Sequence, residues 1–265
     1  MRRDLSDVVL AGTGRLVRVF VYSTLMLPVV VVAGASVTTT SSLRFPPEGF
    51  TLGWYRAAYD SEPFMDSLRT STLLALFVTV VAMIVGGAVS FAIARHEFRG
   101  RKALEALLLS PLVIPAVVLG LGLLQLLAMA GLGRSPIGLV LGHVVTALPY
   151  VVRTLVASLA LFDRTLEDAA ASLRASPFRT LRKVTLPLLA PGLVSAATFA
   201  FVASFGNVTI SVFLGFTGSV TLPVRIFASI ENSYDPILAA VSVLVVIVTL
   251  ILVVASERLA GSERR

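Results

Sequence analysis

The 265-residue sequence contains no cysteine and few charged residues, which make up only 14% of the chain. The absence of cysteine excludes disulfides, thiolate metal sites and thiol nucleophiles. A soluble domain carries about 25% charged residues, because a surface in contact with water needs them. With 56% hydrophobic residues and a mean hydropathy of +0.91, most of this surface is expected to face an apolar medium.

Motifs for catalysis and for nucleotide binding are also missing. Lysine occurs only at Lys102 and Lys183, and neither follows the loop Gly-x-x-x-x-Gly-Lys-Ser/Thr that holds ATP phosphates. His96 and His143 are not in a metal-ligand spacing. Gly-x-Ser-x-Gly and His-Glu-x-x-His do not occur. We therefore predict a chain that is not an enzyme, with no catalytic residues, no metal site and no cofactor of its own.

Six stretches are apolar over the roughly 20 residues that a hydrocarbon core about 30 Å thick requires. They are Leu16–Val37, Ser71–Ala94, Leu104–Ala130, Ile137–Phe162, Gly192–Gly215 and Pro236–Ala255. Backbone groups in lipid must bond within their own segment, so each stretch is predicted to be a helix. The expected fold is all-α, a polytopic membrane bundle of six transmembrane helices that forms a single domain over residues 16–256.

Basic residues are distributed unevenly between the connections. Sixteen Lys and Arg residues fall in one alternating set of segments and five in the other, with Arg153 inside a span. Since positive charge concentrates on the cytoplasmic side, the termini (residues 1–15 and 257–265) and the loop of residues 163–191 are predicted to be cytoplasmic. The net charge of +7 then reflects membrane topology and not a nucleic-acid partner. A signal peptide beginning at Arg2 and Arg3 is the alternative for the first span, although the apolar run exceeds a typical signal core.

The cytoplasmic loop of residues 163–191 is polar but patterned like two short helices. Thr165-Leu166-Glu167-Asp168 fits a capping box with Thr165 as the N-cap, and apolar residues recur with helical spacing through Leu173. Ser176-Pro177 predicts the start of a second helix, which we expect to end at Leu186-Pro187. Two interpretations remain open at this point: a connector lying on the lipid headgroups, or helices that dock onto another protein.

The segment from Glu167 to Gly192 resembles the EAA loop of permeases in binding-protein-dependent ABC importers. Its two ends read Glu-Asp-Ala-Ala-Ala-Ser-Leu-Arg-Ala-Ser-Pro and Val-Thr-Leu-Pro-Leu-Leu-Ala-Pro-Gly. The resemblance implies that the helices, predicted at Leu166–Ala175 and Pro177–Val184, couple the chain to a groove on an ATPase subunit. The residues that it assigns to coupling are Glu167, Asp168, Ala169, Ala170, Leu173, Arg174, Ala175, Pro177, Leu186 and Pro187.

Arg174 departs from the family pattern, in which glycine commonly precedes the alanine that is Ala175 here. Glycine adopts positive φ at little cost, and arginine does not. We therefore expect either a helical turn at Arg174 or a docking contact that differs in detail, and not the glycine-dependent turn.

Three further segments resemble permeases of the spermidine/putrescine type: Trp54-Tyr55, Ser110–Pro115 and Thr221–Phe227. The aromatic pair is also typical of an interface anchor. The resemblance implies a multi-pass protein of the bacterial inner membrane that transports a small, polyamine-like solute by alternating access. It also implies three kinds of partner: ATPase subunits that use ATP and Mg, a second permease and an extracytoplasmic solute-binding protein. The second permease is either a copy of this chain or a homologous partner, and the polyamine-type resemblance favours two different permeases.

Side chains inside the predicted spans supply candidates for a translocation pathway, namely Arg153, Phe205, Asn207 and Thr209. Arg153 lies close enough to the interface to snorkel to the headgroups, and Asn207 equally suits an interhelical hydrogen bond. No span has an Asp or Glu away from its ends, whereas a cationic polyamine calls for carboxylates or aromatic faces. The rival functions are a secondary transporter driven by an ion gradient, which needs intramembrane ionisable groups or inverted repeats, and a membrane assembly subunit without a pathway.

Overall fold

A computed structural model of the chain describes residues 5–232 and 235–262. The predicted topology also uses Arg2, Arg3, Arg264 and Arg265, which lie outside these residues. The described residues form helices and no β-strand, as predicted. In chain order the helices are α1 (Leu5–Ala35), α2 (Gly53–Asp60), α3 (Glu62–Arg95), α4 (Arg101–Leu109), α5 (Ala116–Met129), α6 (Pro136–Ala160), α7 (Thr165–Ser172), α8 (Pro177–Thr180), α9 (Leu186–Phe205), α10 (Val208–Leu214), α11 (Leu222–Asn232) and α12 (Pro236–Ser262).

Within the described residues, five helical segments are long and apolar enough to cross a membrane, and a bent pair of helices makes a sixth candidate. The five lie in α1, α3, α6, the helix from Pro177 to Phe205, and α12. Large apolar side chains such as Phe20, Phe77 and Ile251 are exposed along them, as a lipid-facing surface requires. The predicted membrane bundle is therefore confirmed as all-α with five or six spans.

The bent pair is α4 and α5, which correspond to the third predicted span. The chain bends by 109° between the two helices, so the prediction of one continuous helix over Leu104–Ala130 is wrong. A 3₁₀ turn, Ser110–Leu112, follows α4, and Pro115 precedes α5 with ψ of 130°. Proline lacks an N–H and clashes with the preceding turn of a helix, so Pro111 and Pro115 account for the bend.

The fifth predicted span, Gly192–Gly215, also has different ends. A π-helical turn, Leu181–Thr185, joins α8 to α9, so 29 residues from Pro177 onward are continuously helical. The expected helix end at Leu186-Pro187 is wrong. Leu186 donates its N–H to the carbonyl of Leu181, five residues back, and this wider turn accommodates a proline that has no N–H to donate. The helix instead breaks at Gly206, before α10.

The chain divides into two compact units, Met1–Met65 with Ala228–Ile247, and Asp66–Phe227 with Val248–Arg265. In the second unit, α3, α6 and α9 share a core of small and branched residues. Its buried members are Val78, Ala82, Val144, Ala147, Val151, Leu155, Ala196 and Ala200. Small side chains let membrane helices approach closely, which is why alanine is frequent here. The domain bounds expected from the sequence stay predictions.

In the first unit, the connection between α1 and α2 is ordered by the aromatic pair. Trp54 Nε1 donates to the carbonyl of Thr38 at 2.7 Å, and the hydroxyls of Tyr55 and Ser36 are 2.7 Å apart. Both aromatic side chains are half-buried. Their observed contacts thus stabilise this connection, a role that the sequence pattern did not suggest.

Candidate functional site

The hairpin of residues 163–185, formed by α7, α8 and the π-helical turn, contains most of the predicted coupling residues. Asp163 caps its first helix, because the carboxylate Oδ1 accepts the N–H of Thr165 at 3.0 Å. The expected N-cap at Thr165 is wrong by one residue, since α7 begins at Thr165 and Arg164 occupies the N-cap position. Hydrogen bonds from Thr165 lower the pKa of Asp163 below its usual value.

The turn between the two helices has Arg174 in the left-handed region, with φ of +58°. Arg174 N–H donates to the carbonyl of Ala171, and Ala175 N–H donates to the carbonyl of Ala170. These two bonds define a Schellman motif, in which the left-handed position usually belongs to glycine. The expectation that arginine would exclude this turn is wrong. The backbone adopts the turn at a cost of about 1 kcal/mol for a residue with a Cβ.

The second helix begins as predicted, with Ser176 as N-cap and Pro177 in the first turn. Between the two helices, the end of the hairpin is apolar and open. Leu173 is 85% exposed and Phe178 is 72% exposed. Asp168, Ala169, Arg174, Pro177 and Pro187 are also exposed, Leu186 is 37% exposed, and Ala170 and Ala175 are half-buried. The predicted coupling residues thus lie along the hairpin and at the start of α9, and most of them are accessible to solvent.

Glu167 differs from its neighbours because its carboxylate is bonded within the protein. Oε1 accepts from Arg95 Nη2 at 2.8 Å and from the Thr185 hydroxyl at 2.5 Å. The guanidinium of Arg95 also lies 5.1 Å from the ring centroid of Phe162. A second link comes from Arg164, whose Nη2 donates to the carbonyl of Ala94 at 2.8 Å. These contacts fix α7 to the end of α3.

A buried polar cluster joins α6 to α9 and α10 in the apolar part of the second unit. His143 is fully buried, with Nδ1 3.0 Å from the Ser204 hydroxyl and Nε2 3.1 Å from the Ser211 hydroxyl. Ser211 donates its own proton to the carbonyl of Asn207, so it must accept from Nε2–H of His143. Nδ1 then accepts from Ser204, and a neutral imidazole satisfies both bonds.

The same cluster holds the break between α9 and α10. Asn207 caps α10, with Oδ1 accepting the N–H of Ile210 at 2.9 Å. Its Nδ2 donates to Thr146 at 3.3 Å, and Thr146 donates to the carbonyl of His143. A Cβ added to Gly142 would lie 2.2 Å from Leu214 Cδ1, so glycine is needed where α10 approaches α6. The interhelical hydrogen bond expected as one role of Asn207 is present.

The other pathway candidates are not gathered around Asn207. Phe205 is half-buried and stacks on Phe201, with ring centroids 5.6 Å apart. Thr209 is half-buried on α10, and Arg153 is exposed on α6. Over the described part of the chain, no three His, Asp or Glu side chains come together as a metal site would require. The pathway residues and the absence of a bound cofactor stay predictions.

Sequence reasoning missed Arg95 and Thr185 at the base of the hairpin and Ser204 and Ser211 in the cluster. Arg95 was counted only as a cytoplasmic charge, and Ser204 and Ser211 were not selected at all. A signal for the serines was available, because a histidine inside an apolar span must find partners, and Ser204 and Ser211 lie seven residues apart in the next span. Sequence offered no comparable signal for Arg95, whose partner lies 72 residues away.

Comparison with known families decides what this helical membrane protein is. Residues 83–261 match the family described as "binding-protein-dependent transport system inner membrane component". The chain belongs to this family. As the resemblance of the hairpin to an EAA loop predicts, it is the inner-membrane permease subunit of a binding-protein-dependent ABC importer.

Relatives within the family share most of the chain. The spermidine/putrescine transport system permease protein PotC of Haemophilus influenzae is 31% identical, over 89% of this chain and 92% of that protein. The trehalose transport system permease protein SugB of Mycobacterium tuberculosis is 30% identical, over 88% of each. A bacterial ABC transporter involved in the import of the acidic polysaccharide alginate shares the fold, with a TM-score of 0.72 and 16% identity, over 97% of this chain and 99% of that one. The chain thus has sequence relatives named for different cargoes, and it shares its fold with the alginate importer.

Proposed function

We propose that this permease moves a small polyamine-like solute by alternating access, and that a separate ATPase drives it by docking on the 163–185 hairpin. The observation that carries the proposal is the exposure of Leu173 and Phe178 at the end of this hairpin. Large apolar side chains that are open to water on a cytosolic surface are typical of a protein interface. The competing interpretation, a connector lying on headgroups, does not account for the fixed Schellman turn that presents them.

The proposed coupling residues divide into two groups by their surroundings. Asp168, Ala169, Leu173, Arg174, Pro177, Leu186 and Pro187 are exposed and form the proposed docking surface with half-buried Ala170 and Ala175. Glu167 belongs to the second group, because its carboxylate already binds Arg95 and Thr185. Its proposed role is to hold the docking helix in place.

The proposed topology has six spans with both termini in the cytoplasm. In support, the Arg95–Glu167 ion pair brings the end of α3 and the start of α7 to the same end of the bundle. Only α4, α5 and α6 separate these points, so if α6 crosses the membrane, the bent pair must return the chain across it. The positive charges of both connections then lie on one side.

The proposed partners are two ATPase subunits that use ATP and Mg, a second and different permease, and an extracytoplasmic solute-binding protein. The Haemophilus relative, named as a spermidine/putrescine permease, supports a polyamine cargo. The trehalose relative has nearly the same identity, so cargo is the part of the proposal that most needs a direct test. We expect spermidine and putrescine, and not trehalose, to be taken up by proteoliposomes that contain the complete transporter and its binding protein.

Docking is tested by Leu173→Glu in the assembled transporter. We expect this change to abolish co-purification of the ATPase and to reduce uptake to background, because a carboxylate in an apolar interface leaves a charge without a partner. Since Leu173 is 85% exposed, the permease itself should insert and unfold as the unmodified protein does. Pull-down of the ATPase and a thermal unfolding curve measure the two effects.

Leu161→Glu is the matched control, because Leu161 is 87% exposed but lies outside the hairpin. It should retain the ATPase. Full retention of the ATPase by Leu173→Glu would exclude docking at this surface. Loss of the ATPase in both variants would point to a general effect of charge at the cytoplasmic end.

A further inference from the structure

Arg95 connects the hairpin to the longest helix of the second unit. Its side chain is only 15% exposed and that of Glu167 23%, so the 2.8 Å ion pair is largely shielded from water. The Phe162 ring covers one face of the guanidinium, and Thr185 binds the same carboxylate oxygen. A shielded, hydrogen-bonded pair is much less easily broken than a surface pair, which contributes little.

The opposite end of α3 is bonded to the start of α11. The Ser71 hydroxyl accepts the N–H of Leu222 at 2.7 Å, and the Ser67 hydroxyl accepts from Arg225 Nε at 3.3 Å. Ser67 and Ser71 are buried. Twenty-eight residues separate Ser67 from Arg95, a distance of about 42 Å along a helix. One helix therefore makes specific polar contacts at both ends of the bundle.

Between these ends, α3 is continuous, and one of its faces packs closely against α6. No break interrupts its 34 residues from Glu62 to Arg95. A Cβ on Gly86 would lie 2.8 Å from Val151 Cγ1, so α3 and α6 touch without room for a side chain at this point. Packed interiors transmit displacement because they compress little. These features suit a rod that moves as one body.

We propose that Arg95 is the positioning residue that joins the docking helix to α3, and that α3 carries the movement of the hairpin to α11 at the far end of the bundle. The inference rests on the proposed docking of an ATPase on the hairpin. The ion pair is a second route for this movement, in addition to the covalent connection from the hairpin into α9. The physical basis is a continuous helix with bonded ends, a rigid element of the kind that can carry energetic coupling over such a distance.

Arg95→Gln and Glu167→Gln test the route in the complete transporter, reconstituted with its ATPase. The chain has no cysteine, so the purified permease with Phe227→Cys, at a residue 52% exposed in α11, accepts a single spin label before it is assembled with its partners. We expect Arg95→Gln to retain the ATPase and to hydrolyse ATP. In both variants the change in label mobility on adding ATP should fall by on the order of tenfold. The double variant should be no worse than either single one, because both remove the same interaction.

Arg99→Gln and Glu97→Gln are the controls, since both residues are exposed in the connection that follows α3. They should leave the response to ATP unchanged. A full response in Arg95→Gln would overturn the proposal, as would loss of the ATPase in Glu167→Gln alone, which would make Glu167 a docking contact. If the single variants do not accumulate in the membrane, Arg95→Glu combined with Glu167→Arg keeps both charges, and absence of a response in that pair overturns the proposal as well. Failure of the unmodified chain to bind any ATPase would instead reject the docking function itself.

Discussion

The hairpin exposes large apolar side chains to solvent, whereas the His143 cluster buries polar side chains in an apolar region. The hairpin leaves Leu173 and Phe178 open to solvent and bonds its polar groups at the base, where Glu167 meets Arg95. The cluster lies in an apolar region and pairs both of its imidazole nitrogens within the chain. The hairpin therefore has unused apolar surface for a partner, and the cluster has no unused hydrogen-bonding group on its histidine.

Under the proposed function, this difference separates residues that contact another subunit from residues that maintain the fold. A substitution at the open end of the hairpin should remove a partner and leave stability unchanged. A substitution in the cluster should lower stability first, and affect transport only through the position of the break between α9 and α10. Each prediction below tests one side of this comparison.

The largest effect on stability is expected from His143→Leu. The substitution introduces an apolar side chain of similar size and leaves the Ser204 hydroxyl without its described partner on α6. A buried polar group left unpaired costs about 1–3 kcal/mol, so the melting temperature of the purified permease should fall. Retention of ATPase binding is expected in the same variant, because the cluster is not part of the hairpin.

His96→Leu is the control for this change, since His96 is exposed just after α3. It should leave the melting temperature unchanged. Adding Ser204→Ala to His143→Leu should recover part of the loss, because it removes the orphaned hydroxyl as well. No recovery would mean that packing, and not hydrogen bonding, accounts for the effect.

A smaller and local effect is expected at the cap of α7. Asp163→Ala removes the acceptor of the Thr165 N–H, so hydrogen exchange in the first turn of α7 should accelerate. Asp163→Asn keeps an acceptor but loses the charge, so it should accelerate exchange less than Asp163→Ala does. The pKa of Asp163 is lowered in the folded protein. The contribution of its charge is therefore present above the ordinary carboxyl pKa of about 3.9 and is lost as the pH falls through the lower folded value. Asp163 therefore stays ionised at neutral pH, and its titration should cause no step in the exchange rate of α7 near pH 7. Such a step would contradict the assignment.

The sequence predicted the features that depend on local composition. Apolar length gave the spans, and the capping pattern gave the start of the second hairpin helix at Ser176-Pro177. The bend between α4 and α5 was foreseeable in part, since Pro111 and Pro115 lie in the middle of the third stretch, but the angle depends on the bonds that each proline removes. The continuous helix through Pro187 was not foreseeable from the sequence. A π-helical turn differs from an α-helical turn only by its i→i+5 hydrogen bonds, and the backbone conformations are closely similar.

The candidate sites were predicted unevenly for the same reason. Resemblance identified the hairpin, whereas the role of Glu167 depends on Arg95 and Thr185, which are distant in sequence. Contacts of this kind follow from helix packing and cannot be read from one segment. At Arg174 a local rule gave the wrong prediction. Residues with a Cβ rarely adopt positive φ, but the two hydrogen bonds of the turn hold Arg174 in this conformation.

The smallest effect is expected at Arg174, where two substitutions distinguish the contribution of the backbone from that of the side chain. Arg174→Gly removes the left-handed strain, while Arg174→Ala keeps the Cβ and removes the same charge. The glycine variant should therefore exceed the alanine variant in stability by about 1 kcal/mol, measured by hydrogen exchange at the end of α7. Because Arg174 is exposed beside Leu173, ATPase binding distinguishes what a partner recognises. Equal binding of the two variants and the unmodified chain means that the turn serves only to present Leu173, whereas weaker binding of both variants means that the guanidinium itself is part of the interface.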